Sequence, residues 1–386
     1  ETGTGTYVDE NDTGTDPNNP DSDGDGINDG DEIAAGTDPT DPASFLIPLA
    51  IDEGRLAFHR YTAYDQDPTH GTYPLDGEIR IIDLATGQAY TTGERAIAAA
   101  VDHAMSPRFS ADGEKLVFMG LPRNQHPTDA SWQDALDILL YDFSEDRVRN
   151  LSEEAGLLNS IEEDPALSPD GTLVVFKRDR LDLWVLDLES LSLTQLTTDG
   201  GASEESGPGY SADGQWIVYA TDDGSSTTIS RIPAAGGNPE IVADSVDAHE
   251  SHPAYWGNDQ VVYTATDLQS PSDDEIRIND LNGGDLPLAF NLATSKDSWA
   301  FPMASGLLGF SCEEDDPNEK ANLCFADPSS GQSAVFGFSD AEKHDLSGSY
   351  TAFVIPEPRK TLLTFVALGT IALLRTRRSP AKNPRR

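Results

Sequence analysis

From Phe45 onward, short apolar runs alternate with Gly, Asp and Pro, the period-two pattern of antiparallel strands bounded by tight turns. One unit keeps returning. Ser168-Pro-Asp-Gly-Thr-Leu-Val-Val-Phe176 recurs as Ser110-Ala-Asp-Gly-Glu-Lys-Leu-Val-Phe118 and as Ser211-Ala-Asp-Gly-Gln-Trp-Ile-Val-Tyr219. Looser copies run from Trp256 to Tyr263 and from Ser305 to Phe310. Each copy predicts a strand end, a turn in which Gly supplies positive φ, and a β-rich strand closing on an aromatic. Those aromatics are Phe58, Phe118, Phe176, Tyr219, Tyr263, Phe310 and Phe353. Their later spacings, 43 to 47 residues, suit a four-stranded propeller blade. A third strand is predicted at residues 79–83, 138–142, 183–187 and 276–280, and a short fourth at 148–151 and 193–196.

Ser-Pro-Asp-Gly with an apolar triplet, then Leu183-Trp-Val-Leu-Asp187, then Gln195-Leu-Thr197, resembles the blade of a TolB-like, WD-related propeller. The resemblance covers residues 45–355 and implies an all-β fold of six full blades. A seventh partial copy at 343–355 either closes the ring or belongs to a split seventh blade. The first two aromatic spacings are longer, at 60 and 58 residues. Both insertions, 61–77 and 121–137, fall between second and third strands. On such a scaffold they raise two walls on one face, carrying Tyr61, Tyr64, His70, Tyr73, His126 and Trp132. Strand-entry positions add His103, Asp164, His252 and His344, with Glu163 and His249 nearby. In propellers of this kind those positions point to the central channel, where they would hold a metal or cationic group or simply line a wet passage. Cys312 ends the second strand of the sixth blade and Cys324 begins its third, so an oxidising compartment would join them.

The net charge of -43 over 386 residues argues against nucleic acid and anionic lipid surfaces as partners. It fits calcium, cationic partners, or an acidic surface kept for solubility. No Lys or Arg precedes Arg55, and residues 1–44 cannot build an apolar core. Within them, Asp21, Asp23 and Asp25 stand at positions 1, 3 and 5 of a loop whose bend Gly26 permits. The Ile27 carbonyl, Asp29 and Glu32 supply the remaining oxygens of a calcium shell. This run is similar to the calcium loop of thrombospondin type 3 repeats, which implies a calcium-stiffened stalk.

No nucleophile elbow and no phosphate-binding Gly-rich loop occur, so no catalytic residue is assigned. At the far end, Pro356-Glu357-Pro358, an apolar run at 361–374 and a basic cluster from Arg375 resemble a PEP-CTERM sorting signal. That implies a hydrophobic helix over part of 356–386, transient membrane insertion through 361–374, and processing by an exosortase-type enzyme of a Gram-negative bacterium. The expected protein is an exported cell-surface or matrix propeller that binds an envelope protein or exopolysaccharide. The alternatives are a propeller enzyme acting on polysaccharide and a purely structural matrix component.

Overall fold

The computed structural model describes residues 54–67, 71–83, 88–91, 97, 100–122, 136–157, 160–198, 201–268, 274–282, 284–286, 296–303, 306–313, 321–328, 332–336 and 344–351. Residues 14–15, 22, 29 and 40 are also described. Two compact units, Glu1–Ala352 and Phe353–Arg386, are distinguished, and every described residue belongs to the first.

The chain opens the fold with β1 (Arg55–Asp67), β2 (Gly71–Asp83) and β3 (Gln88–Thr91). Next come β4 (Val101–Phe109), β5 (Lys115–Pro122), β6 (Asp137–Asp142) and β7 (Arg147–Asn150), followed by the single turn α1 (Leu151–Glu154). The third group is β8 (Glu162–Leu167), β9 (Leu173–Arg178), β10 (Leu183–Asp187) and β11 (Leu193–Gln195). The fourth is β12 (Glu204–Tyr210), β13 (Trp216–Asp222), β14 (Thr227–Pro233) and β15 (Glu240–Ala243). The fifth is β16 (Ala248–Trp256), β17 (Gln260–Asp267), β18 (Asp274–Asp280) and β19 (Gly284–Leu286). Last are β20 (Lys296–Pro302), β21 (Leu308–Glu313), β22 (Ala321–Asp327), β23 (Gln332–Phe336) and β24 (His344–Thr351). Five four-stranded sheets each use four consecutive strands, and a further one joins β24 to β1, β2 and β3. The first strand of each sheet packs on the preceding sheet around a cycle, the arrangement of a β-propeller. Residues 344–351 of the partial seventh copy thus complete the first sheet, with Arg55 opposite Thr351.

The repeated turn has a hydrogen-bonded cause. In all three clear copies the Ser hydroxyl donates to the Asp carboxylate (Ser110 to Asp112, Ser168 to Asp170, Ser211 to Asp213, at 2.6–2.7 Å). The same hydroxyl accepts from the first N–H of the following strand (Lys115, Leu173 and Trp216, at 2.9–3.0 Å). Gly113, Gly171 and Gly214 take the positive φ that closes the loop.

The apolar triplets are buried on both faces, because each sheet packs on two neighbours. Val174 and Phe176 lie in the cluster shared with Val117, Ile138 and Leu140, whereas Val175 faces Ile217, Tyr219 and Ile232 of the fourth sheet. A polar latch crosses that apolar seam. Thr197 Oγ1 accepts from Leu183 N at 2.9 Å and donates to the buried Glu205 at 2.9 Å. Thr197→Val, nearly isosteric, loses both bonds, and denaturant unfolding is expected to show a loss of about 1–2 kcal/mol.

Glu162 occupies the corresponding place in the third sheet and is fully buried. Burial raises its pKa, against the lowering pull of Ser160 and Ser152. A carboxyl whose folded pKa is raised weakens the fold where it is ionised, and the loss recedes as pH falls through that pKa. Glu162→Gln is therefore expected to stabilise by about 1 kcal/mol at pH 7, with the gain fading on acidification. A loss at pH 7 would contradict the burial argument.

The first insertion is not a loop over its full length. β1 and β2 stay paired past Tyr61 opposite Gly77 to Asp67 opposite Gly71, with register shifts around Ala63. Tyr64 stands opposite Pro74 and Tyr73 opposite Asp65 on this extended hairpin. Cys312 and Cys324 are disulfide-bonded between β21 and β22, Cα–Cα 5.9 Å, inside the apolar cluster shared by the fifth and sixth sheets.

Candidate functional site

The first strand of five sheets breaks its ladder at the same place. Register shifts fall between Met105 and Arg108, Glu163 and Ala166, Ser206 and Gly209, Ser251 and Ala254, and Ser298 and Phe301. At each break one residue has positive φ: Ser106 (51°), Asp164 (53°), Gly207 (57°), His252 (49°) and Trp299 (57°). Proline follows in four of the five, as Pro107, Pro165, Pro208 and Pro253. Proline has no N–H for the ladder, so a bulge is where a strand tolerates it. Left-handed backbone costs an ordinary residue roughly 1–2 kcal/mol, and such strain concentrates at sites of function.

All five bulge residues line one cavity of about 120 Å³, together with His59, Met105 and Arg108. Trp299 is its aromatic wall. Its ring lies 4.8 Å from His252 and 5.9 Å from His59, and its backbone N–H donates to Thr264 Oγ1 at 3.0 Å. His59 Nδ1 accepts from Ser106 N at 3.3 Å, which places the proton of the neutral ring on Nε2. Asp164 accepts from Gly207 N at 3.2 Å. The Arg108 Nη1 donates to Pro107 O at 3.1 Å. Behind Asp164, Lys177 Nζ reaches Glu163 at 2.8 Å, Glu204 at 3.0 Å and Asp164 at 3.9 Å.

These charges set the protonation of the site. Burial, then the charges of His103 and Arg108, lower His59 to about 3. His252 is lowered to about 4 by desolvation, with Arg108 and Lys177 adding to it and Asp164 opposing. Its ring is open to channel water, which tempers the shift without reversing it. Both imidazoles are neutral at pH 7. Burial also lowers Arg108 despite Asp164. For Lys177 burial is outweighed by Asp164 and Glu163, so its pKa is raised and it stays cationic.

Of the expected ligand-face residues, His252 lines the cavity, and so does Asp164 from the strand-entry set. His103 does not line it. It is 1% exposed, and a Cβ on Gly77 would sit 2.7 Å from its Cε1, so it packs between the first two sheets. The cause is local: His103 lies three residues before the bulge, on the part of β4 that packs against β2. His249 stands 3.2 Å from Thr227 Oγ1, away from the cavity lining. Tyr61, Tyr64 and Tyr73 are placed on the hairpin backbone, His344 begins β24, and His70, His126 and Trp132 lie outside the described residues. His59, Arg108 and Trp299 were missed. The available signal was a proline three residues before each repeated turn, Pro107, Pro165 and Pro208, where a strand should have none.

In the N-terminal segment only one expected calcium ligand is described. Asp29 accepts from Ser22 N at 2.7 Å and from Ser22 Oγ at 2.8 Å. Asp21, Asp23, Asp25, Ile27 and Glu32 lie outside the described residues, as do Pro356, Glu357, Pro358 and the run 361–374. Among the described residues no group of three metal-capable side chains occurs, and no helix is long and apolar enough to cross a membrane.

Fold and cavity together define a β-propeller whose sheets bring five strand bulges to one small recess. Residues 130–272 match the family described as the dipeptidyl peptidase IV N-terminal region, and residues 21–42 match the bacterial TSP3 repeat. An uncharacterized protein of Agrobacterium fabrum strain C58 is 31% identical over 134 residues, 32% of this chain and 45% of that protein. The chain therefore spans less than half the length of that relative. TolB from Acinetobacter baumannii superimposes with a TM-score of 0.55 at 15% identity, covering 84% of this chain and 70% of TolB. Kuenenia stuttgartiensis hydrazine synthase gives 0.58 at 12% identity, covering 78% and 48%. At such identities the likeness to solved structures fixes the fold alone.

Proposed function

We propose that this chain is an exported binding module of a Gram-negative bacterium, whose propeller holds a ligand in the channel recess. The observation that carries this reading is the ring of five bulges, four of them non-glycine residues in left-handed backbone, converging on one cavity. A channel lined only to fill space would not need that strain. The TSP3 match supports a calcium-braced N-terminal segment, with Asp21, Asp23, Asp25, Ile27, Asp29 and Glu32 as its ligands. Both the TSP3 match and the disulfide fit a periplasmic or extracellular setting. The partners on this reading are an envelope protein or exopolysaccharide at the propeller, and an exosortase-type enzyme at Pro356-Glu357-Pro358.

The test uses the purified chain with calcium, immobilised and washed with extracted envelope protein and exopolysaccharide. Specific retention is expected, and His252→Ala with Asp164→Ala should abolish it. Retention unchanged in that double variant would remove the channel from the binding role. For calcium, calorimetry should show saturable uptake that Asp23→Ala with Asp25→Ala abolishes.

A further inference from the structure

The hairpin of β1 and β2 outruns the sheet it belongs to. On one side β24 starts at His344, opposite Tyr61, and on the other β3 pairs with β2 only at residues 80–83. The ribbon nevertheless continues to Asp67 opposite Gly71. Residues 62–67 of β1 therefore extend roughly 20 Å past the strand that covers the rest of it. Among the described residues no strand pairs with that edge, nor with the outer edge of β2 at 71–79. A two-stranded ribbon is marginal in water, and an open edge is a template for a further strand.

The two edges are not equal. β2 carries Pro74, and proline blunts an edge because it has no N–H, whereas Thr62-Ala-Tyr-Asp-Gln-Asp67 has neither Pro nor Gly. Along β1 every second residue turns both its N–H and its C=O outward.

Charge selects the occupant. Residues 61–77 hold Asp65, Asp67 and Asp76 and no Lys or Arg. The nearest cations of the two strands lie at the base, where Arg60 stands opposite Glu78 and Arg80 Nε donates to Glu78 at 3.2 Å. Asp65 and Asp67, two residues apart, share one face of the ribbon. A second copy would bring the same three aspartates to the edge, and like charges opposite one another destabilise a strand pair. The net charge of -43 opposes self-association as well. Lys or Arg at alternate positions of an incoming strand would instead stand opposite Asp65 and Asp67.

We propose that residues 62–67 form a docking edge for an extended segment of another protein, which adds as a strand and carries Lys or Arg at every second position. Main-chain hydrogen bonds supply affinity, and the alternating cations fix the register. This edge is separate from the channel recess, and the argument for it does not rest on ligand binding there.

The experiment titrates the full chain, at about 0.15 M salt, with a fluorescent peptide of alternating Lys and Val. One control is the same peptide fully N-methylated, which keeps the charge but donates no main-chain hydrogen bond. The other replaces Lys with Glu. The Lys peptide should saturate and slow amide exchange within 62–67, the N-methylated form should bind about tenfold more weakly, and the Glu peptide should not bind. Asp65→Asn with Asp67→Asn is expected to weaken the Lys peptide about fivefold, the size of two cross-strand charge pairs. Replacing residues 62–76 with Asn-Gly, a turn that joins Tyr61 to Gly77, should abolish binding. If that variant fails to fold, the aspartate variant and the N-methylated peptide still decide. Equal binding of the N-methylated or Glu peptide, no saturation by the Lys peptide, or unchanged binding without the arm overturns the proposal. So do amides at 62–67 already protected in the free chain. A dimer in sedimentation that disappears with the arm would assign the edge to a second copy and overturn it too.

Discussion

Moving from pH 6.5 to pH 4 should lower the unfolding free energy of the propeller by about 3 kcal/mol through His59 alone. The ring is 1% exposed, and its pKa falls from 6.5 to about 3 on folding. For a base with a depressed folded pKa, the unfolded chain takes up the proton first. Stability is therefore complete above pH 6.5 and is lost as pH falls toward 3, at about 1.4 kcal/mol per pH unit. Protonation at Nδ1 also breaks the bond from Ser106 N, and it sets a new charge beside Arg108 and His103. His252 acts in the same direction, while Glu162 acts in the opposite one. Comparing the chain with His59→Asn cancels both. Urea unfolding at stepped pH should give a shallower pH dependence in the variant, and parallel curves would refute the assignment.

Lys177→Met should destabilise by roughly 3 kcal/mol, the scale for stripping one partner from a buried ionic cluster. Its side chain is 9% exposed and joins Glu163 and Asp164 of β8 to Glu204 of β12, so it ties the third sheet to the fourth. Without it the three carboxylates lose their shared cation, and Arg180, 3.7 Å from Glu163, compensates that one carboxylate only in part. Glu204 is half open to water, which keeps the estimate at the lower end of that range. Adding Glu163→Gln should restore part of the loss, whereas simple loss of packing would leave the double variant no better than the single. Both can be read from denaturant midpoints.

Much of the fold was legible because its elements are local. The Ser-x-Asp-Gly turn is a self-contained set of hydrogen bonds, and the aromatics that pace the repeat, from Phe58 to Phe310, are buried at the sheet interfaces. The strand predicted at 183–187 is β10 itself, and those at 138–142 and 276–280 lie within β6 and β18. The site was less legible because it is not local. His59, Arg108, Asp164, His252 and Trp299 come from five sheets and meet only when the ring forms. His103 shows the converse error: a polar residue at a strand entry was expected in the channel, but β2 covers it. Residues 61–77 were expected as a loop because strand pairing past the sheet's usual edge depends on hairpin register, which Tyr-Thr-Ala-Tyr does not announce.

The pairing of β24 with β1 also has a mechanical meaning. The two strands are antiparallel, with Arg55 at the start of one opposite Thr351 at the end of the other. A load applied through the chain at these two points pulls neighbouring strand ends apart sideways. Hydrogen bonds in that geometry rupture one after another from Arg55 toward Tyr61, as a zipper opens, instead of resisting together as they do in shear. Under tension the first sheet is the fuse of the structure, giving way while the five sheets made of consecutive strands remain intact.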